Sequence, residues 1–215
     1  MPTSEALDIA GPAGRLEAIL MHPEGEPVAA GVVCHAHPLH GGMMHFKVLF
    51  RAAKALQENG VAALRFNFRG VGRSEGVHDD GRGERDDVRA ALDFAAGRFA
   101  SLPLILGGFS FGAAMALHAA ARDARARALF VLGLPVTKMQ DLAVLGAISV
   151  PRLFIQGERD EFGDGERVRG LVEPLPPPRQ LRVIPESDHF FTGHLDELHG
   201  ELSRWAAERP WSAAA

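Results

Sequence analysis

The sequence predicts an α/β fold built on a doubly wound, mostly parallel sheet, and three observations predict it. First, short apolar runs of strand length alternate with helix-forming stretches from about residue 30 onward. Such alternation demands crossover connections, and crossovers make neighbouring strands parallel. Second, the glycine-flanked turn Gly108-Phe109-Ser110-Phe111-Gly112 joins an apolar run at 102–106 to the helix-forming stretch Ala113-Ala114-Met115-Ala116-Leu117. Third, 215 residues with 47% hydrophobic and 23% charged content suit one domain, residues 1–215, with an ample core.

Taken in order, residues 5–10 and 15–22 read as an antiparallel hairpin turning at Gly11-Pro12-Ala13-Gly14. Ala30-Gly31-Val32-Val33-Cys34 is a central strand, and a helix over 46–58 stops at Gly60. The run 61–68 is the next strand. Asp79, Asp80, Glu84, Asp86 and Asp87 then place negative charge at the positive end of a helix over 84–99. Val88, Leu92, Ala95 and Phe99 line one face of that helix. Strands follow at 128–133, 150–156 and 180–185, with a rigid loop from Pro174 to Pro178 before the last. Residues 134–149 have room for at most one short helix. A final helix over 193–208 buries Leu195, Leu198, Leu202 and Trp205, and the tail 211–215 is expected to fray.

The turn at Ser110 carries the first chemistry. Glycine at both outer positions lets strand and helix pass closely, lifts the serine oxygen clear of the sheet and aims the helix N-terminus at it. A Gly/Ser turn is common in any β-α unit, so the partners decide. A serine hydroxyl needs a base to take its proton and a third group to hold the base. On a parallel sheet these should follow in the order acid, then histidine, each in a loop after a strand. The run 150–156 ends in Gly157-Glu158-Arg159-Asp160, and the run 180–185 ends in Glu186-Ser187-Asp188-His189. Ser110 is thus the candidate nucleophile, His189 the base and then acid, and Asp160 the orienting carboxylate. Glu158, Glu161 and Asp164 compete with Asp160.

Four segments carry a family resemblance: His35-Ala36-His37-Pro38-Leu39-His40-Gly41-Gly42, Phe66-Asn67-Phe68-Arg69-Gly70-Val71-Gly72-Arg73-Ser74, the turn at Ser110, and Ser187-Asp188-His189-Phe190-Phe191. With them the chain resembles the α/β hydrolases, and more narrowly the small lidless bacterial branch near the dienelactone hydrolases. The latter use a cysteine nucleophile where this chain has serine, so their substrate does not transfer. The resemblance implies an oxyanion hole made by the Phe111 backbone N–H and a second donor from the loop after 30–34. Pro38 has no N–H, so the donor is a neighbour within 37–42, with Leu39 and His37 the first candidates. With no lid expected between 134 and 149, the site is open, walled by Met43, Met44, Phe46, Phe111 and the loop 134–145. An open apolar shelf favours small carboxylic esters or thioesters, hydrolysed without a cofactor.

Other functions weigh less. His35, His37 and His40 have H-x-H-x-x-H spacing, and a metal-dependent hydrolase centred on them is the alternative. Dinuclear zinc hydrolases of that pattern usually carry aspartate before the last histidine, where this chain has Leu39. A non-catalytic binding protein on a hydrolase shell is the other alternative. Gly70-Val71-Gly72 lacks the third glycine of a dinucleotide fingerprint, since position 75 is Glu75. Arg69 and Arg73 are read as structural. A net charge of −4 and a pI near 6.2 give no electrostatic reason to expect nucleic acid or an anionic membrane. The lone Cys34 reads as a core residue in a reducing compartment, the N-terminus lacks a leader pattern, and the expected location is the cytoplasm. The expected partners are a small acyl substrate and, at most, further copies of the chain.

Overall fold

Eight strands form, the central ones from apolar runs and the edge ones from more polar segments: β1 (Thr3–Gly11), β2 (Gly14–His22), β3 (Ala29–Cys34), β4 (Val61–Phe66), β5 (Leu104–Phe109), β6 (Ala126–Leu132), β7 (Arg152–Gly157) and β8 (Arg179–Ile184). Five helices connect or cover them: α1 (Lys47–Glu58), α2 (Arg82–Arg98), α3 (Phe111–Ala120), α4 (Gly165–Val172) and α5 (Leu195–Ala207). This computed structural model describes residues 1–212.

One sheet holds all eight strands in the order β1-β2-β4-β3-β5-β6-β7-β8. β1 pairs antiparallel with β2, and β2 with β4; every later pairing is parallel. Parallel strands covered on both faces should be apolar throughout, and β3, β4 and β5 are buried along their whole length. Their side chains alternate between two cores, as the two-residue period requires. Val33, Ile105, Phe130 and Ile155 meet α1 and α5 on one face. On the other, Val32, Leu64 and Leu106 meet α2 and α3, while Leu129, Val131 and Phe154 meet α3 and α4. Because β3, β5, β7 and β8 run the same way, the loops that leave their C-terminal ends gather at one edge of the sheet.

Two expectations change. The stretch 134–149, expected to hold at most one short helix, holds two short 3₁₀ turns, Val136–Lys138 and Ala143–Ala147. Arg152, wholly buried, ties it down: Nη1 donates to the carbonyls of Leu145 at 2.8 Å and Ile148, and Nη2 to that of Pro176 at 2.7 Å. Burial holds the guanidinium below its ordinary pKa. The tail does not fray at Trp211, which is buried in a 3₁₀ turn with its ring 6.1 Å from that of Trp205. A second indole on the α5 core outweighs the cost of ordering the few residues that carry it. Residues 213–215 lie outside the described residues. No helix among those described is long and apolar enough to cross a membrane.

Candidate active site

β5 leads into α3 through a turn with almost no room. A Cβ added at Gly108 would sit 2.6 Å from the Cys34 carbonyl oxygen, and one at Gly112 would sit 2.2 Å from it. Only glycine fits at either place. Between them Ser110 adopts φ 56° and ψ −120°, a region side-chain-bearing residues rarely occupy, and its N–H donates to the Leu132 carbonyl at 2.9 Å. The strain turns Oγ toward the loops at the strand ends. Phe111 and Gly112 open α3, so their N–H groups have no acceptor within the helix.

The turns after β7 and β8 bring Asp160 and His189 to that oxygen. His189 Nε2 lies 2.9 Å from Ser110 Oγ, and His189 Nδ1 lies 2.7 Å from Asp160 Oδ2. A carboxylate beside Nδ1 fixes the proton there and leaves the Nε2 lone pair facing the hydroxyl. Both side chains are essentially buried. The His189 ring is held by Phe109 at 5.0 Å and Phe162 at 4.6 Å. The competing carboxylates are spent elsewhere. Glu158 accepts from the Glu186 N–H, Asp164 caps α4 through the Arg167 N–H, and Glu161 faces solvent.

One residue of this network escaped the sequence reading. Gln156, fully buried at the end of β7, donates from Nε2 to Asp160 Oδ2 and to the Gly163 carbonyl, each at 2.7 Å. Its Oε1 accepts from the Leu134 N–H at 2.7 Å. The signal was available: Gln156 directly follows the apolar Leu153-Phe154-Ile155 of β7, and a buried amide must find partners. Asp160 Oδ1 takes the Phe162 N–H at 2.8 Å, so both carboxylate oxygens are fixed.

The loop after β3 is assembled by the segment after β4. His35 is fully buried; Nδ1 donates to the Ala36 carbonyl at 2.6 Å and Nε2 accepts the Phe68 N–H at 3.0 Å. Burial drives its pKa down to about 4, so it is a neutral strut. With both ring nitrogens occupied it cannot ligate, which breaks the proposed His35, His37, His40 metal set. Further along, the Met44 backbone is clamped on both sides: its N–H donates to Asn67 Oδ1 at 2.8 Å, and its carbonyl accepts from Arg65 Nη1 at 2.6 Å. Arg69 and Arg73 are structural, held by Asp87 at 2.7 Å and Glu17 at 2.9 Å.

Within the loop the amides differ in what they have left to offer. The Leu39 N–H donates to His37 Nδ1 at 3.2 Å, and its side chain stands 69% exposed. The His40 and Gly42 N–H groups donate to the His37 carbonyl, and that of Gly41 to Pro38. A Cβ on Gly42 would come within 2.1 Å of the Ala36 carbonyl, so the chain can double back only with glycine there. The His37 ring packs 4.9 Å from Phe111, which brings the loop over the start of α3. Its pKa is held low by burial, with His40 and His78 adding repulsion.

The expected walls are redistributed. Met43 is exposed and Phe46 half-buried at the mouth, but Met44 points inward and is 1% exposed. Leu134, Val136, Val144 and Leu145 likewise pack into the core under α3 rather than toward Ser110. Their places as wall residues are corrected accordingly: they are apolar because they fill the protein.

Residues 29–197 match the family described as the alpha/beta hydrolase domain. A solved α/β serine hydrolase homologue from Coxiella burnetii is 38% identical, with TM-score 0.87 over 93% of this chain and 96% of that one. An α/β serine hydrolase without a lid from Xanthomonas campestris is 36% identical, with TM-score 0.86 over 99% of this chain and 97% of that one. An uncharacterised protein of Rickettsia prowazekii is 35% identical over 197 residues, 87% of this chain and 82% of that protein. With two short turns where others of the fold insert a lid, this chain belongs to the α/β-hydrolase family, in its small lidless serine hydrolase branch.

Proposed function

We propose that the chain cleaves small carboxylic esters or thioesters through an acyl-enzyme, with Ser110 as nucleophile, His189 as general base and then acid, and Asp160 as the group that orients the imidazole. The observation that carries this reading is the buried, hydrogen-bonded line from Ser110 Oγ through His189 to Asp160, 2.9 and 2.7 Å long. As Oγ attacks the acyl carbon, its proton passes to His189 Nε2. Asp160 holds the imidazolium that forms, and the same proton then goes to the departing oxygen or sulfur. Water repeats the sequence on the acyl-enzyme. The tetrahedral oxyanion is taken by the Phe111 N–H and, of the two loop candidates, by the His37 N–H. The prior engagement of the Leu39 amide supports His37.

The test is labelling by a fluorophosphonate probe, with the adduct located by peptide mass. An adduct on Ser110 that is absent from a folded Ser110→Ala variant is expected. That variant should also lose on the order of 10⁵–10⁶ in kcat. A folded protein that takes no label, or a Ser110→Ala variant that keeps its turnover, removes the reading.

A further inference from the structure

Beside the triad lies an apolar surface that the catalytic reading does not use. Phe190, which follows His189, is 46% exposed, and its ring lies 5.3 Å from His189 and 6.1 Å from Phe46. Phe46 stacks on Phe109 at 5.8 Å with the planes 9° apart, and Met43 and Phe50, 41% and 43% exposed, stand one turn before and one turn after Phe46 in the chain. Exposed apolar rings in contact with one another beside a reactive centre mark a binding surface. The shelf is also stiff. Arg65 and Asn67 clamp the backbone of Met44 between Met43 and Phe46, and the Arg65 guanidinium lies 5.4 Å over the Phe50 ring.

The rings around Ser110 fall into two groups. His189, Phe162, Phe109, Phe190 and Phe46 form one, and of these phenylalanines Phe190 is the most exposed. Phe111, His37 and His78 form the other, on the side of the N–H groups proposed for the oxyanion. This matters because the leaving atom must take its proton from His189 Nε2 and therefore departs on that histidine's side. We propose that the shelf of Phe46 and Phe190, edged by Met43, binds the alcohol or thiol part of the substrate, and that this part is apolar, preferably aromatic. The proposal rests on the catalytic reading above. In acylation the bond from Ser110 Oγ to the acyl carbon forms and the bond from that carbon to the leaving oxygen breaks. The Ser110 proton ends on that oxygen, and the alcohol leaves across Phe190.

The experiment compares ethyl, butyl, benzyl and 2-phenylethyl acetates, which share an acyl group and differ little in leaving-group basicity. The native chain should show kcat/KM rising with the apolar area of the alcohol. Phe190→Ala, at an exposed position, should lower kcat/KM for benzyl acetate by on the order of tenfold and for ethyl acetate by less than about twofold. Hydrolysis of the common acetyl-enzyme, read from the steady phase after a burst on 4-nitrophenyl acetate, should not change. Phe190→Leu should recover most of the butyl but less of the benzyl preference. Equal losses on all four acetates, or a loss that follows acyl length at fixed alcohol, overturns the assignment while leaving the triad in place. Equal losses with a changed sedimentation coefficient would instead make the shelf a contact between copies. Failure of fluorophosphonate to label the native chain overturns the catalytic reading, and the shelf with it.

Discussion

Ser110 shows how a single residue couples backbone strain to side-chain placement. Its φ of 56° costs on the order of 1–3 kcal/mol, and the cost is tolerated because the turn aims Oγ at His189. Glycine relieves such strain and alanine does not. Ser110→Gly should therefore melt at a higher temperature than Ser110→Ala, by the equivalent of about 1 kcal/mol, with both inactive; equal melting temperatures would mean the backbone is not strained. His35 makes a second prediction. The folded chain keeps its imidazole neutral down to about pH 4, whereas the ordinary value is 6.5. Between those values the unfolded chain binds a proton that the folded chain refuses. Stability present above pH 6.5 is therefore lost as the pH falls toward 4, by up to about 3 kcal/mol. His35→Gln should be the less stable protein at pH 7.5, and urea unfolding should show the gap closing by about 2 kcal/mol at pH 4.5. A constant gap would remove His35 as the source.

At the scale of elements, the α5 face decides what the C-terminal segment is for. Leu198, Leu202 and Trp205 present a stripe to the sheet, and Trp211 returns to cover its end. Truncation after Arg209 removes a side chain that is 97% buried and opens a cavity against Trp205, at a cost of about 3 kcal/mol. Chemical denaturation of the truncated chain measures it; an unchanged midpoint would mean that Trp211 contributes nothing. The loops at the other end of the sheet show the same principle with polar groups. His35, Arg65, Asn67 and Gln156 each satisfy backbone groups of a segment distant in sequence, and so hold loops around Ser110 that have little regular structure of their own.

For the whole molecule, the consequence of the topology is an uncovered site. Only two 3₁₀ turns stand between β6 and β7; the second is pinned by Arg152 and the first by the Thr137 N–H donating to the Phe162 carbonyl, and their apolar side chains face inward. Nothing there has to move for a substrate to enter. The rate on 4-nitrophenyl butyrate should therefore saturate with the dissolved ester and show no jump as the concentration passes its solubility limit. A sharp rise at that limit would point to a covering element that opens at an interface.

Features legible in the sequence depend on a few neighbouring residues. The alternation of strands and helices follows from hydrophobic period. The glycines around Ser110 follow from turn sterics, and the order Ser110, Asp160, His189 follows from where strands end. Each is set within ten residues or so, and each is present in the fold. What the tertiary structure alone decided is which distant groups face one another. It selects Asp160 over Glu158 and Asp164 by occupying the other two, and engages the Leu39 amide while turning Met44 inward. It also makes His35 a strut rather than a ligand, and gathers Phe46, Phe109 and Phe190 beside His189. No spacing along the chain encodes those pairings, because a hydrogen bond or a ring contact depends on where two loops meet in space, and that is fixed by the packing of the sheet beneath them.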